Sequence, residues 1–354
     1  MKATLRSTLS RAVVYGGVSA ASRAVFPKRG AVVFYAHRLA TDSLGFLLAL
    51  RPDWFEEQIA HLARHYRFIS LDELAAHYAT RTPIPKNTAV MTFDDGFKDN
   101  LDVGLPILRK YGVPATIFVV TRSAETGELP WPQRLGYVYQ HAPAESLGLP
   151  ASVTYEERRQ AFLQVRSEMF PLHREKRDAH IQALADQHGV VLPMDKVLRW
   201  DDLREMAQYD VVAGAHTYSH PWLGFIPREE ARRELEKCRD DLRDNLGIEN
   251  APFCFPAGSC NPGLVELVEE VGFSCSFLPN LPYRVNTLHN ADAYSLSRIG
   301  LPMAPAVELE SYLDGPIYPV RRALNALSRK EAVYSNDERW RRESEAAAQL
   351  SPSA

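Results

Sequence analysis

Short apolar runs alternate with helix-forming segments from about residue 31 onward, and this alternation constrains the fold more than any other feature of the sequence. Each run is rich in Val, Ile and Phe, which is typical of a buried strand. The predicted strands are residues 31–35, 67–70, 88–93, 115–120, 211–215, 252–255, 273–277 and 295–299. Strands separated by helices form a parallel sheet, so we expect an α/β fold with seven or eight parallel strands in a closed or nearly closed β/α barrel. The alternative is an open doubly wound sheet, but no strand precedes a glycine-rich dinucleotide fingerprint.

Local start and stop signals predict helices between these strands. Ser70 and Glu73 form a capping box for a helix over residues 71–79. Glycines follow the other helical tracts, at the position where helices commonly end. These tracts are residues 101–110, 228–246 and 262–271.

Residues 121–199 separate two predicted strands by far more chain than one connecting helix needs. The segment contains Pro130-Trp131-Pro132, followed by a helical tract that starts at a capping box of Thr154 and Glu157 and runs to about His188. We interpret the segment either as an inserted helical cap, with Trp131 as a substrate contact, or as a purely structural insertion.

The two ends of the chain stand apart from this pattern. Residues 1–30 form an N-terminal segment in which basic residues precede a mild apolar run. We expect an amphipathic helix, with residues 1–25 as a peripheral membrane contact of a cytoplasmic protein. The alternative is a weak export signal cleaved near residues 18–20. The barrel with its insert then takes residues 31–320, and residues 321–354 form a polar tail.

Charge and cysteine content exclude several classes of protein. The 41 basic residues are scattered among 44 acidic ones, so the sequence has no basic patch for a nucleic-acid partner. None of the four cysteines forms a C-x-x-C pair, which argues against a thiolate zinc site. Three of the four lie in or near apolar runs, and we expect these three to be buried free thiols, as in a protein of a reducing compartment.

The motif T-F-D-D-G at residues 92–96 places two adjacent carboxylates where a buried strand ends. Chemistry in a parallel barrel is located at the carboxyl ends of the strands. Neighbouring side chains on extended backbone point to opposite sides, so Asp94 and Asp95 differ in role unless the chain turns, which Gly96 permits. Two close carboxylates also repel, which raises one pKa or requires a cation. The alternative is a turn with two solvated acids.

Two further motifs follow predicted strands. His216 and His220 come after residues 211–215, and imidazoles four apart can face one ion if the segment coils. One aspartate and these two histidines make a catalytic type of metal site with open positions, although either histidine alone fits a surface or core role. Pro256-Ala257-Gly258 forms a turn that can aim a backbone N–H into the barrel mouth, or an ordinary turn.

The order T-F-D-D-G, H-T-x-x-H and F-x-x-P-x-G resembles the polysaccharide deacetylase family, also described as the NodB-homology domain or carbohydrate esterase family four. The similarity covers about residues 31–300, interrupted by the insert. The resemblance implies a distorted TIM-like barrel and a divalent metal, most often Zn²⁺. It implies that Asp95, His216 and His220 hold the metal and that Asp94 is the general base. The metal and a backbone N–H of the Pro256–Ala257 turn then stabilise the oxyanion.

The sequence departs from the family pattern at two places. Cys254 lies where the third motif usually has an arginine that braces the base, and we expect Arg298 to replace it. The late L-x-H histidine, the usual general acid, has no clean match. We favour His37 for this role because it follows a predicted strand, with His289 as the alternative and His141 as a third candidate.

These motifs predict a metal-dependent hydrolase that removes N-acetyl groups from an amino sugar in a polysaccharide, glycolipid or glycan precursor. One alternative is a deformylase or O-acetyl esterase acting on a related carbohydrate. Another is a catalytically silent barrel that only binds glycans, although such a protein would often have lost a ligand residue.

Overall fold

The computed structural model describes residues 2–278 and 285–315, so the predicted tail at 321–354 lies outside the described residues. The strands are β1 Ala31–Ala36, β2 Arg38–Leu39, β3 Ser43–Leu44, β4 Leu47–Leu50, β5 Arg67–Phe68, β6 Thr88–Phe93, β7 Ala115–Val119, β8 Val211–Ala215 and β9 Arg298–Gly300. The α-helices are α1 Lys2–Tyr15, α2 Val18–Val25, α3 Pro52–His65, α4 Leu71–Ala79, α5 Leu105–Tyr111, α6 Thr121–Thr126, α7 Trp131–His141, α8 Tyr155–Glu168, α9 Arg174–Gln187, α10 Trp200–Ala207, α11 Arg228–Leu246, α12 Pro262–Val271 and α13 Ala306–Asp314.

The main sheet is parallel and runs in the order β8, β7, β6, β1, β9, with the short β5 also paired to β6. Single parallel bridges continue it from Ala215 to Phe253, from Phe253 to Ser276 and from Phe277 to Leu296, which leads back to β9. The sheet therefore closes on itself, and the prediction of a distorted β/α barrel is confirmed.

Two predicted strands, residues 252–255 and 273–277, are reduced to these single bridges. Pro252 and Pro256 bracket the first of them, and a proline has no N–H to donate to a ladder. The barrel is consequently regular on the side of β1, β6, β7 and β8 and irregular on the opposite side. This irregular side is what makes the β/α barrel a distorted one.

Alternate residues of the central strands pack on opposite faces. Along β6, Met91 and Phe93 join the large apolar cluster under the helices, whereas Val90 joins a smaller cluster with Phe118 and Phe277 inside the barrel. The period of two follows from the pleat of a strand. It places the next residues of the inner face, Thr92 and then Asp94, at the barrel mouth.

Several predicted helix boundaries are confirmed. The Ser70 hydroxyl accepts a hydrogen bond from the Glu73 amide at the start of α4. The ends of α5, α11 and α12 are followed by glycines in the left-handed conformation. The predicted helix over 101–110 differs in its first turn, because residues Asn100–Gly104 form a π-helical segment before α5.

The insert at 121–199 is helical and lies beside the barrel mouth. Its capping box of Thr154 and Glu157 is present at the start of α8. The single predicted tract up to His188 is two helices, α8 and α9, since Pro171 between them interrupts the backbone hydrogen bonds. A separate aromatic cluster holds the insert together and includes Phe46 from the turn between β3 and β4.

The N-terminal segment forms two helices that pack against α13. Arg23 of α2 forms ion pairs with Glu310 and Asp314 of α13, and the Ser10 hydroxyl donates to Glu308. None of the described helices is long and apolar enough to cross a membrane. All four cysteines are buried and free, one more than the three for which the sequence predicts it.

Candidate active site

The T-F-D-D-G motif turns at the end of β6 so that both carboxylates face the barrel mouth. Asp94 continues the inner face of the strand, and its amide still donates to Ala36. Asp95 should therefore point to the outer face, but its backbone is left-handed, with φ 70°. Gly96 follows with φ 67°. The turn thus begins one residue earlier than the glycine that predicts it, and it brings two adjacent side chains into one site.

Asp95, His216 and His220 converge on one point. The Nε2 atoms of His216 and His220 lie 3.3 Å and 3.2 Å from Asp95 Oδ1. One ligand atom from each residue can be chosen so that all three lie within 4.8 Å of one another, and all three side chains are buried. The structure therefore brings together the three residues predicted to hold a metal.

The orientation of His216 indicates that a cation belongs in this cluster. Its Nδ1 lies 2.7 Å from the Cys254 carbonyl oxygen, which can only accept, so Nδ1 is the donor. In the neutral ring Nε2 is then an acceptor facing the Asp95 carboxylate. A metal ion or a proton must lie between them. Burial alone would lower the pKa of His216, but the hydrogen bond to Asp95 and the interactions with the Cys254 side chain and Asp94 outweigh it and hold the pKa well above its ordinary value.

His220 is positioned through its backbone. It has φ 60°, and Thr217 in the same loop has φ 67°, conformations that a side chain normally disfavours. The Thr217 hydroxyl accepts from the His220 amide, and the indole Nε1 of Trp131 donates to the His220 carbonyl at 2.8 Å. Burial, only partly offset by Asp95, lowers the pKa of His220 and keeps its ring neutral, as a metal ligand must be.

Asp94 forms a bidentate ion pair with Arg298. The two guanidinium nitrogens donate to Oδ1 at 2.6 Å and to Oδ2 at 2.8 Å. Burial alone would raise the pKa of Asp94, but the Arg298 charge and hydrogen bonds outweigh it and the pKa lies below its ordinary value. Arg298 also lies 2.9 Å from the Cys254 sulfur, so it fills the space beside the residue that stands in place of the family arginine.

The three histidines considered for the general acid lie in different places. His37 lies in the cavity, with Nε2 3.9 Å from Asp94 Oδ2 and its side chain 32% exposed. His289 is exposed on a surface loop, and His141 is exposed and stacks on Tyr137. Neither lines the cavity. Only His37 among the three candidates can reach a substrate held at Asp94 and Asp95.

The third motif turns sharply beside the site. Residues Pro256–Gly258 form a 3-10 turn in which Ala257 has φ 51° and Gly258 has φ 64°. Ala257 and Gly258 line the cavity, whereas Pro256 is buried behind them. The turn therefore brings Ala257 and Gly258 to the edge of the barrel mouth, and an N–H of this turn aimed into the mouth stays a prediction.

The cavity above these residues has a volume of about 390 Å³, and the insert contributes Pro132, Gln133 and Arg166 to its wall. The position of Trp131 contradicts the prediction that this residue contacts the substrate. Trp131 is 3% exposed and lies outside the cavity lining, where its indole N–H supports His220. A buried indole normally finds a polar partner, and here that partner is a backbone carbonyl of the site.

Several residues of this wall were not predicted from the sequence. They are Tyr35, Leu47, Gln133, Arg166, Trp222 and Phe277. Of these residues, Trp222 could have been predicted from the sequence, since it follows His220 by two residues. The others come from helices and strands where their spacing is that of ordinary core or surface positions.

Comparison with known proteins agrees with this geometry. The sequence profile described as polysaccharide deacetylase matches residues 81–276, more than half of the chain. The poly-beta-1,6-N-acetyl-D-glucosamine N-deacetylase of Escherichia coli (strain K12) is 21% identical over 254 residues, 71% of this chain. The match covers 34% of that protein, so this chain spans about a third of the length of its curated relative.

Two solved structures share the fold. The deacetylase PplD of Streptococcus pyogenes, solved in complex with acetate, superposes with a TM-score of 0.51 at 17% identity, over 84% of this chain and 97% of that one. IcaB from Ammonifex degensii gives a TM-score of 0.52 at 19% identity, over 81% and 97%. With its profile match, its barrel and its three motifs at one mouth, this chain belongs to the polysaccharide deacetylase family.

Proposed function

We propose that this protein is a metal-dependent hydrolase that removes N-acetyl groups from an amino sugar in a polysaccharide, glycolipid or glycan precursor. The observation that carries the proposal is the buried cluster of Asp95, His216 and His220 beside a second carboxylate, Asp94, held by Arg298. The name of the Escherichia coli relative supports the substrate class, because it specifies an N-acetylglucosamine polymer.

The three ligand residues fit Zn²⁺. Two imidazoles and one carboxylate with an open position are a donor set of catalytic zinc sites. The Nε2 atom of His216 and the Asp95 carboxylate are two acceptors that face each other, and a cation between them would satisfy both. The Cys254 carbonyl fixes the orientation of the His216 ring that would bind this cation. When bound, such an ion polarises the amide carbonyl and acidifies water at its open position.

Asp94 is assigned the role of general base. Its carboxylate is kept ionised by Arg298, so it can accept a proton from the attacking water at neutral pH. Both Asp94 oxygens accept from the guanidinium, which fixes the plane of the carboxylate and leaves lone pairs directed to the cavity. As the water oxygen bonds to the acetyl carbon, the carbonyl oxygen gains negative charge, and the Ala257 peptide N–H is assigned the role of stabilising it.

His37 is assigned the role of general acid. The C–N bond of an amide breaks only when the leaving nitrogen is protonated, because an amide anion is a very poor leaving group. An imidazolium at His37 can donate that proton from the side of Asp94. The products are acetate and a free amino sugar.

Metal removal tests the proposal. The purified protein is assayed for acetate release from N-acetylglucosamine oligomers by mass spectrometry, before and after chelation and after addition of Zn²⁺ or Co²⁺. We expect chelation to abolish activity and the ion to restore it. Asp95→Ala and His216→Ala should contain no metal, whereas His61→Ala, a buried histidine of α3 outside the cavity, should retain it. Full activity of a chelated protein that contains no metal would exclude the mechanism.

A further inference from the structure

The cavity wall formed by the insert and by Trp222 contains polar groups without partners among the described residues. Gln133 is buried, and its Oε1 accepts no hydrogen bond within the described residues. Within the same part of the chain, neither Arg166 Nε nor Trp222 Nε1 donates one. All three side chains line the cavity that contains Asp94 and Asp95. Buried polar atoms are nearly always satisfied in native proteins, so three orphans in one wall indicate a ligand.

Arg166 is the charged member of this group, and it lacks a counterion. Among the described residues, no carboxylate forms an ion pair with it, and the charge that acts on it is that of Arg159. Burial and then Arg159 lower its pKa. Its guanidinium carbon lies 5.2 Å from the centre of the Trp222 ring and 5.4 Å from that of Phe162. The aromatic rings hold the planar group in place without neutralising it.

This wall adjoins the proposed metal centre. Trp222 follows His220 by two residues, and Gln133 follows Trp131, whose indole donates to the His220 carbonyl. A substrate whose acetyl group meets Asp94 and Asp95 would therefore extend its neighbouring groups toward Arg166. An uncharged sugar offers hydroxyl groups that satisfy Gln133 and Trp222 but nothing that neutralises a cation.

We propose that Arg166, Gln133 and Trp222 form a subsite for an anionic oxygen group, a phosphate or a carboxylate, that the glycan substrate carries next to the sugar to be deacetylated. The planar guanidinium matches such groups in bidentate geometry. The subsite rests on the proposed function for its position in the substrate, but the binding of the anion can be measured without turnover.

Binding and turnover are measured with three probes. These are an N-acetylglucosamine trisaccharide, its 1-phosphate, and a trisaccharide of the same length in which one residue is a glucuronate. Binding is measured by calorimetry on the metal-loaded protein, and turnover by release of acetate. The variants are Arg166→Gln, Arg166→Lys and Arg159→Gln, the last being the matched control on the exposed side of α8.

We expect the wild-type protein to bind at least one charged probe about tenfold more tightly than the neutral one, as a charge-assisted hydrogen bond allows. Arg166→Gln should remove this preference, and Arg166→Lys should keep part of it. Arg159→Gln removes a neighbouring charge but leaves the Arg166 guanidinium in place, so it should keep most of the preference. The phosphate and glucuronate probes distinguish the two sources of the anion.

Three results would overturn the subsite. The wild-type protein could bind all three probes equally, or the preference could persist in Arg166→Gln because the anion binds the metal. Arg166→Gln could also lower the melting temperature with the preference unchanged, which would limit Arg166 to packing on the aromatic rings. A preference in binding without acetate release from any probe would instead count against the proposed deacetylation and leave the subsite supported.

Discussion

The barrel mouth and the cap wall, which is the side of the cavity formed by Gln133, Arg166 and Trp222, belong to one cavity but are built in opposite ways. Among the described residues, nine that are not glycine have positive φ, and four of them, Asp95, Thr217, His220 and Ala257, lie in the three motif loops. The charged groups of the mouth are paired within it, as in the bidentate contact of Arg298 with Asp94. The cap wall has no such strain at its polar residues, yet those groups lack partners.

The difference shows how the side chains of each part are held in position. Groups that do chemistry must be held to within a fraction of an ångström before the substrate arrives, so backbone strain and buried ion pairs are tolerated there. Groups that recognise a substrate can wait for it to complete their hydrogen bonds, at a cost in free energy until it binds.

Replacing Asp94 tests whether the mouth separates base from ligand. Asp94→Asn should lower kcat by about 10²–10⁴-fold, the usual contribution of a general base, and leave the metal content unchanged. Thermal unfolding should show a loss of stability, because Arg298, whose side chain is only 12% exposed, is left without an ionised partner. Release of the metal by Asp94→Asn would mean that the roles of Asp94 and Asp95 are exchanged.

Replacing His37 tests the general acid. His37→Ala should lower turnover of an N-acetyl amide by about 10²–10³-fold, within the range for proton transfer. An activated acetyl ester should be affected much less, since a good leaving group needs little protonation. His289→Ala, an exposed histidine, is the matched control. If the control fails on the amide and His37→Ala does not, the acid is His289.

Replacing Arg298 tests the electrostatic support of the base. Arg298→Gln removes the charge that holds the pKa of Asp94 down, while burial, which raises that pKa, remains. The base must be ionised to act, so the acidic limb of the kcat/KM profile should move to higher pH, and the rate at neutral pH should fall by about 10–100-fold, as for other residues that orient a catalytic group. An unchanged acidic limb would show that Arg298 does not act on Asp94.

Replacing Trp131 tests the hydrogen bond by which the cap supports His220, a predicted metal ligand. Trp131→Phe keeps most of the buried aromatic surface but removes the donor to the His220 carbonyl. We expect metal affinity to fall about tenfold, the lower end for a residue that supports a ligand. Trp200→Phe is the control, because its indole donates to Glu125 at the surface. Equal metal affinity in both variants would mean that the cap acts on the substrate alone.

Much of the fold was readable in the chain itself. Short apolar runs and local caps depend on neighbouring residues, so they predict β6, β8 and α4 with few errors at their boundaries. The same holds for the motif residues Asp95, His216 and His220, because each follows a predicted strand at its carboxyl end. The strands at 252–255 and 273–277 were overestimated, since the ladder of an irregular barrel depends on partners as well as on apolar content.

What the sequence could not supply were the contacts between distant residues. Arg298 and Asp94 are 204 positions apart, and Trp131 and the His220 carbonyl are 89 apart. The resemblance pointed to Arg298 as the partner of Asp94, but no local pattern shows their bidentate contact, or that the Trp131 indole donates to the His220 carbonyl instead of lining the cavity. The pairing of Arg166 with the ring of Trp222 in an otherwise uncharged wall is of the same kind. The sequence determined the chemistry at each strand end because that chemistry follows strand boundaries. The partners of those groups were decided only when the barrel closed and the insert folded against its mouth.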